Sequence, residues 1–234
     1  MSALPTPYGY LAALACQAGS SNDMLDFVKA AYCENSPLAV EEHCLILMAY
    51  DKTTYRMRRA WRDIYSIENV EQREPRLSEL TRRFRYHIQR ELMEHCEHLI
   101  SLVESYLLPT CTPESRPDQF VLYHRTIGDY ARYMAEVSNE NEQGKFLHRA
   151  SSAYTIASRC SHVSLSPIDP HRLGLEVNLS VFRHDTLSRH SAVETVIAAL
   201  LAARDHLRTS NDRPHQESLR ILSLLHRNLE TWLV

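Results

Sequence analysis

Apolar residues recur at steps of three and four positions along most of the chain, the spacing that places them on one side of an α-helix. The longest regular run lies in residues 75–108, where the pattern predicts one helix. Its apolar positions are Leu77, Leu80, Phe84, Ile88, Leu92, Cys96, Leu99, Leu102 and Val103. Pro109 is expected to end this helix, because proline has no amide hydrogen and its ring clashes with the preceding turn.

The same pattern predicts eight further helices, nine in all. Loops are expected at 138–144, where Asn, Glu and Ser dominate, and at 210–214. Because the loops are short and no stretch resembles a linker, we expect one all-α domain of antiparallel helices spanning 1–234. A helical repeat array is disfavoured, since no self-similarity with a period of about 34 residues occurs. The eight helices are predicted at 11–18, 22–32, from 36–37 to 66, 118–137, 145–161, 171–187, 191–209 and 215–232.

The composition supports this fold class and excludes several functional classes. Only 5 of 234 residues are glycine, whereas folds rich in tight turns need residues that tolerate positive φ. The formal charge of -3 gives no basic excess for binding nucleic acid. No apolar run is long enough to predict a membrane span. Six scattered cysteines and a start without a basic signal region are typical of reduced thiols in the cytoplasm.

The segment VLYHRTIGDYARYMAEV, residues 121–137, is a candidate anion site. On a helix, five of its polar residues share one face, at steps of 4, 3, 1 and 3. They could form an exposed charged face with pairs of opposite charge. Alternatively, two arginine forks and a tyrosine hydroxyl held in place by Asp129 could bind an anion. The five residues are Arg125, Asp129, Arg132, Tyr133 and Glu136.

Further segments predict a groove beside these cations. Arg58 and Arg62 lie four positions apart in the densest basic cluster. Asn178 and Asn228 each interrupt an apolar stripe. A buried amide is costly without a hydrogen-bond partner, so each asparagine is either a satisfied core amide or available to a ligand. A groove with one basic and one amphipathic wall would suit an extended peptide that carries an anionic group.

Metal binding and catalysis are only weakly indicated. His95, Cys96 and His98 lie together on one predicted helix, but no third ligand is evident nearby, and Cys96 fits the apolar stripe. No serine–histidine–acid or cysteine–histidine pattern stands out, and no glycine-rich phosphate-binding motif occurs. We therefore expect no metal, no cofactor and no enzymatic activity.

Four motifs in register give the chain a family resemblance. GDYARYMAEV, PHRLGLEVNLSVF and LHRNLETW, preceded by WRDIYSIE at 61–68, resemble the 14-3-3 proteins at nearly the family's spacing. The similarity covers about residues 11–232, although the first family signature, around 43–55, is degraded. The resemblance implies nine antiparallel helices, a cup-shaped homodimer, and a groove that binds phosphoserine or phosphothreonine peptides of signalling clients.

The resemblance also assigns roles around the phosphate. The family's two phosphate-binding arginines fall on Arg58 and Arg132, and its tyrosine falls on Tyr133. Asp129 matches an acid that braces the pocket. Arg125 falls where the family has a lysine.

The remaining assignments concern the rest of the bound peptide. Asp185 falls where the family has a glutamate, and Thr231 replaces a leucine of the apolar wall, which should weaken that contact. The two peptide-gripping asparagines and the apolar wall fall on Asn178, Asn228, Val177, Val181, Leu224 and Trp232.

One departure affects the phosphate-binding lysine. Asp51 occupies that position, and the distance from Tyr50 to Trp61 leaves no gap that could shift Lys52 into register. One charge pair at ~5 Å and an effective dielectric of ~20 amounts to roughly 3 kcal/mol. We expect phosphopeptide affinity at least about tenfold weaker than the family norm. The alternative is a phosphate-independent scaffold of the same fold that binds unphosphorylated or acidic peptides.

The implied dimer also departs from the family. Ser20 stands where an arginine would face Glu91, so that ion pair is lost. Asp23 would face His87 of the other subunit, where the family has lysine. Because histidine titrates near neutrality, we expect the dimer to tighten from pH 8 towards 6. Either a homodimer or a heterodimer with a paralogue is possible. The apolar seam would contain Leu14, Ala18, Ala60, Ile64 and Phe84.

Overall fold

The computed structural model describes residues 6–34, 38–39, 42–70 and 75–233. Within these ranges the chain forms nine α-helices and no β-strand, which confirms the all-α fold. The chain divides into an N-terminal unit, which ends at Thr110, and a C-terminal unit, which begins at Cys111. A single domain over 1–234 stays a prediction. The predicted start of the third helix at 36–37 lies outside the described residues.

The N-terminal unit contains four helices whose apolar stripes meet in a common core. The side chains of Met24, Ile46, Tyr50, Leu92 and Leu99 are fully buried there. Ile46 and Tyr50 lie four positions apart and Leu92 and Leu99 lie seven apart, so each pair lies on one side of its helix. The four helices are α1 (Pro7–Gln17), α2 (Ser21–Cys33), α3 (His43–Val70) and α4 (Pro75–Leu102).

Glu42 joins the beginnings of α1 and α3. Its carboxylate accepts hydrogen bonds from the backbone N–H of Thr6 at 3.0 Å, the hydroxyl of Thr6 at 2.9 Å and the backbone N–H of Ala39 at 2.9 Å. The hydroxyl of Thr6 in turn accepts from the N–H of Gly9 and caps α1. A side chain at Gly9 would overlap the Glu42 carboxylate, so this position requires glycine.

The prediction that α4 runs regularly to residue 108 is wrong in its last turn. The α-helix ends at Leu102 and continues as a π-helical turn, Val103–Leu107, and a 3₁₀ turn, Leu108–Thr110. Pro109 explains the change, because its ring would clash with the carbonyl of Ser105 in a regular α-helix. The wider π turn contains Ser105, so the backbone adjusts before the proline instead of stopping at it.

The C-terminal unit contains the other five helices. Four of them begin within two residues of their predicted starts, but α6 begins five residues earlier than predicted. Asn139 caps it by accepting the N–H of Glu142 at 3.1 Å. Glu140 and Glu142 favour this first turn because acidic side chains stabilise helix N-termini. The five helices are α5 (Pro117–Val137), α6 (Glu140–Ser164), α7 (Pro170–Thr186), α8 (Arg189–Thr209) and α9 (Gln216–Leu233).

Two features hold the C-terminal unit together. Gly128 on α5 lies against the ring of Tyr154 on α6, where an added Cβ would come within 2.7 Å of the ring. The absent side chain lets α5 and α6 pack closely. Helices α7, α8 and α9 meet in an apolar cluster whose buried members are Leu173, Val177, Val196, Ala199 and Leu225.

Candidate functional site

Asp129 lies at the centre of a buried polar cluster formed by α5, α6 and α7. The residue is 8% exposed. One carboxylate oxygen accepts a hydrogen bond from the Tyr154 hydroxyl at 2.6 Å, and the other accepts from the Asn178 amide at 2.7 Å. The predicted acid on α5 is therefore a structural anchor, and both its oxygens are used by neutral donors.

The arginines on either side of Asp129 balance its charge only in part. Burial raises the pKa of Asp129, while Arg125, Arg132 and the two hydrogen bonds oppose that shift. Burial by itself would lower the pKa of Arg132, but Tyr154, Tyr133 and Asp129 outweigh it and the net shift is upward. The guanidinium of Arg132 thus stays cationic at every working pH.

Arg132 and Tyr133 are adjacent in space as well as in sequence. The guanidinium carbon of Arg132 lies 4.9 Å from the centre of the Tyr133 ring, a cation–π distance. Among the described residues, no side chain or backbone group accepts the Nε–H of Arg132 or of Arg125. The guanidinium of Arg132 nevertheless forms a side-chain hydrogen bond with Tyr154, and the charge of Asp129 attracts both arginines.

Arg125 lies against the backbone of α7. Its Nη1 atom occupies the space that a Cβ at Gly174 would take. The glycine in PHRLGLEV thus makes room for the guanidinium of Arg125. Sequence analysis identified the arginine but gave no reason for this glycine.

The sequence left open whether the Asn178 amide is satisfied within the protein or available to a ligand, and its hydrogen bond to Asp129 bears on both alternatives. The amide donates to Asp129, so it is satisfied inside the protein, and the bond leaves its carbonyl oxygen for another donor. Tyr154 was missed as a site residue. Its position within the apolar stripe of α6 could have identified it, because a buried tyrosine hydroxyl normally needs a hydrogen-bond partner.

The predicted apolar wall lies on α7 and α9. Val177 is a buried member of the α7–α8–α9 cluster, and Leu224 and Trp232 pack against it. Val181 and Asn228 are half-buried.

The ends of the two helices meet through an aromatic contact. The ring of Trp232 stacks on His184 with 5.0 Å between centroids, and His184 contacts the exposed carboxylate of Asp185 at 3.2 Å. These contacts fix the end of α9 beside the end of α7. Thr231, the replacement of a family leucine, is exposed and its hydroxyl donates to the carbonyl of Arg227.

The predicted residues of α3 belong to the N-terminal unit. Asp51 is exposed, and Arg58 is half-buried. Lys52 lies about 100° further around the helix than Asp51. Its Nζ atom contacts the sulfur of Cys16 on α1 at 3.8 Å. The ammonium of Lys52 is therefore directed to α1.

The predicted seam residues lie on a partly open surface of the N-terminal unit. Leu14, Ala18 and Phe84 are exposed, whereas Ala60 and Ile64 are half-buried. Ala60, Phe84 and His87 line a surface recess of about 480 Å³.

The charged residues assigned to the seam have partners in their own chain. The hydroxyl of Ser20 donates to Asp23 at 2.6 Å, and His87 contacts Glu91 at 3.3 Å. An intersubunit pair between Asp23 and His87 would have to compete with these local contacts.

The histidines considered as metal ligands belong to a packing cluster around Tyr50. His98 Nδ1 shares a short hydrogen bond with the Tyr50 hydroxyl, and the His95 ring lies 4.7 Å from the Tyr50 ring. The described residues contain no group of three histidine, cysteine or acidic side chains placed to hold a metal.

One serine–histidine–aspartate contact occurs at the surface. Ser166 and Asp212 both approach the same nitrogen of His206, Nε2, at 3.2 and 2.9 Å. A catalytic triad needs the serine and the acid on opposite ring nitrogens, so this contact cannot relay a proton.

Among the described helices, none is long and apolar enough to cross a bilayer.

Comparison with known proteins gives one consistent family. The sequence model of the 14-3-3 protein family matches residues 11–233. The chain is 32% identical over 222 residues to 14-3-3 protein beta/alpha of Homo sapiens, covering 94% of this chain and 89% of that protein.

Two fungal proteins are similarly related. The chain is 34% identical over 227 residues to the checkpoint signal transducer rad25 of Schizosaccharomyces pombe, covering 95% of this chain and 83% of that protein. It is 34% identical over 228 residues to protein BMH2 of Saccharomyces cerevisiae, covering 95% of this chain and 82% of that protein. The match reaches from within α1 to the end of α9 and includes every predicted site residue, so the chain belongs to the 14-3-3 family of adaptor proteins.

Proposed function

We propose that this chain binds phosphoserine or phosphothreonine peptides of client signalling proteins and contacts the phosphate through Arg132 and Tyr133. One observation carries the proposal. Both carboxylate oxygens of Asp129 accept hydrogen bonds from Tyr154 and Asn178, so its charge attracts the neighbouring arginines without forming a hydrogen-bonded ion pair with them. A phosphate dianion would supply the missing counter-charge, and arginine forks suit its geometry.

The neighbouring residues support binding of the peptide around the phosphate. Asn178 keeps an amide oxygen available for a peptide N–H, because its amide nitrogen is held by Asp129. The half-buried Leu224 and Trp232 supply apolar surface for peptide side chains and pack against the cluster that contains Val177. Arg58, Val181, Asp185 and Asn228 enter the proposal through the family resemblance alone.

The first test compares a fluorescent arginine-rich phosphoserine peptide with its unphosphorylated twin by anisotropy titration. The phosphopeptide should bind and the twin should not. Arg132→Ala should abolish measurable binding, since it removes the cation beside Tyr133. Arg204→Ala is the matched control, because Arg204 is an exposed arginine of α8 paired with Asp205. Equal binding of the two peptides would reject the proposal.

A phosphate-independent scaffold is the second candidate, and the exposed aspartate at position 51 favours it. The substitution Asp51→Lys distinguishes the phosphopeptide-binding adaptor from the phosphate-independent scaffold. If the groove binds phosphate weakly, this change should strengthen phosphopeptide binding at least about tenfold, which corresponds to ~1.4 kcal/mol. If the chain is a phosphate-independent scaffold, the substitution should leave both peptides bound alike.

We also propose that the chain dimerises through the N-terminal unit, with itself or with a paralogue. Phe84 is 54% exposed and Leu14 is 42% exposed, and large apolar side chains left exposed on one unit favour association. Sedimentation velocity should detect a dimer that Phe84→Asp disrupts, with Leu187→Asp as the control at an apolar residue of the C-terminal unit that is 70% exposed.

The charged contacts give the dimer a second test. A protonated His87 would carry the positive charge that Asp23 needs, so the dimer should tighten between pH 8 and 6. Equal dissociation constants across that range would mean that the local Ser20–Asp23 and His87–Glu91 contacts hold these groups instead.

We propose a cytoplasmic location. All six cysteines are free thiols in the structure, two of them exposed, which suits a reducing compartment.

A further inference from the structure

A separate cavity lies between α6, α7 and α8 of the C-terminal unit, with a volume of about 290 Å³. Small-molecule pockets begin at about this size. One wall is a stripe of α7 in which Arg172, Glu176, Leu179 and Arg183 follow one another at steps of 4, 3 and 4. Such steps keep the four side chains on one side of the helix over about 16 Å. The cavity is therefore a slot along α7.

Glu176 supplies a buried negative charge to this slot. The residue is 7% exposed. One of its oxygens lies 2.9 Å from Nε2 of His162 on α6. A buried carboxylate is stable only when donors or cations surround it, and His162 contacts only one of its two oxygens. The Glu176 carboxylate can accept a further hydrogen bond from a ligand.

Arg183 supplies a cation two helical turns away. Its Nη1 donates to the hydroxyl of Thr195 on α8 at 2.6 Å. Thr195 is a neutral partner, and among the described residues Arg183 forms no ion pair. A guanidinium has five N–H donors, so most of its capacity remains. Arg172, at the other end of the stripe, donates to the carbonyl of Leu165 at 2.9 Å and also interacts with the charge of Glu176.

The space between these charges is apolar and is kept open by small residues. Ala198, Ala199 and Ala202 of α8 line the slot opposite Leu179. Glu176 and Arg183 are separated by seven residues, or about 10 Å along the helix axis. The slot thus presents a carboxylate, an aliphatic surface and a guanidinium in sequence.

We propose that this slot binds a small aliphatic zwitterion, with its ammonium group at Glu176, its carboxylate at Arg183 and its methylene chain across Leu179 and Ala199. Both ends would form charge-assisted hydrogen bonds, and Glu176 at one end is buried. This binding site lies apart from the Asp129 cluster, and the proposal does not depend on peptide binding.

The test uses 6-aminohexanoate as the probe in isothermal titration calorimetry of the whole chain. Hexanoate and hexylamine are the matched ligands, because each lacks one of the two charges. We expect saturable binding of 6-aminohexanoate and at least tenfold weaker binding of the other two. Equal binding of hexanoate would show that Glu176 does not contact the ligand, and no saturable binding in the millimolar range would show that the slot takes no such zwitterion. Either result overturns the proposal.

Substitutions then locate the site. Glu176→Gln and Arg183→Gln should each weaken 6-aminohexanoate binding at least tenfold. Glu194→Gln and Arg208→Gln, at exposed residues of α8 outside the slot, should leave it unchanged. Ala198→Leu should block the slot without removing a polar group, and far-UV circular dichroism verifies that each variant folds. Binding that survives both Arg183→Gln and Ala198→Leu would place the zwitterion elsewhere and reject the site.

Discussion

The Asp129 side chain links three helices through two hydrogen bonds. It lies on α5 and accepts from Tyr154 on α6 and Asn178 on α7. Burial raises the pKa of this carboxyl, and the cations around it limit the rise. A single residue therefore links the helix that carries the proposed phosphate contacts to the helix that carries the proposed peptide contact.

Tyr154→Phe should destabilise the protein by about 1–3 kcal/mol, because it leaves one oxygen of buried Asp129 without its donor. It should also weaken phosphopeptide binding, since Arg132 packs beside Tyr154. Urea unfolding measures the first effect and anisotropy the second. Tyr55→Phe, at a tyrosine that is 65% exposed, should change stability by less than about 0.5 kcal/mol. Equal unfolding midpoints for the two variants would contradict this account of Asp129.

The two helical glycines Gly174 and Gly144 should respond oppositely to alanine. At Gly174 the new methyl group would overlap Arg125, so the variant should lose stability and shift the Arg125 side chain. At Gly144 the space is open, and alanine should stabilise by about 0.5–1 kcal/mol through its higher helix propensity. Thermal unfolding of both variants checks the signs. A stabilised Gly174→Ala would mean that Arg125 is not confined by α7.

Spacing alone located part of this site in the sequence. Arg125, Asp129 and Arg132 share a face of one helix, so a local pattern brings them together. Tyr154 and Asn178 reach Asp129 from 25 and 49 residues away, and only the packing of helices determines such contacts. For the same reason the sequence could not say whether Asn178 was a core amide or a ligand contact.

Two helix boundaries were predicted wrongly, because the local sequence pattern did not determine them. The start of α6 was misplaced because Glu140 and Glu142 resembled a polar loop, although they follow the capping residue Asn139. The end of α4 was misplaced because a proline predicts a break and not the π turn that precedes it. The helical runs themselves were predictable, since apolar residues recur at steps of three and four positions along most of the chain.

Asn139→Ala tests the corrected start of α6. The substitution removes the oxygen that accepts the N–H of Glu142, and loss of an N-cap costs about 1 kcal/mol. Chemical denaturation should show that loss, while Asn211→Ala, at an exposed loop position, should have little effect. If both variants matched the parent protein, the first turn of α6 would contribute nothing to stability.

At the scale of the whole molecule, one buried histidine should make stability depend on pH. Burial lowers the pKa of His95 to about 4, and Lys29 and His98 oppose its protonation further. The unfolded chain, with a pKa near 6.5, therefore binds this proton more readily than the folded chain. The contribution to stability is complete above pH ~6.5 and is lost progressively as the pH falls from ~6.5 to ~4.

Between pH 6.5 and 5 this single group should cost about 2 kcal/mol of unfolding free energy. Urea unfolding at both pH values measures the loss, and His95→Gln should reduce it even if the variant is less stable throughout. His190→Gln, at an exposed histidine of α8, should retain the full loss. An unchanged pH dependence in His95→Gln would assign acid sensitivity to other groups.

The hydrogen bonds of Glu42, which join the beginnings of α1 and α3, have a consequence for proteolytic cleavage of the chain. Two of the three donors to this buried carboxylate come from Thr6, and the third comes from Ala39. Cleavage on the carboxyl side of Thr6 would remove both Thr6 donors at once. The Glu42 carboxylate, which faces Gly9, would keep only the N–H of Ala39 as a donor. Since Leu14 lies on the helix that Thr6 caps and Ala18 directly follows it, trimming the first six residues would loosen α1 and weaken the proposed self-association without touching the Asp129 cluster.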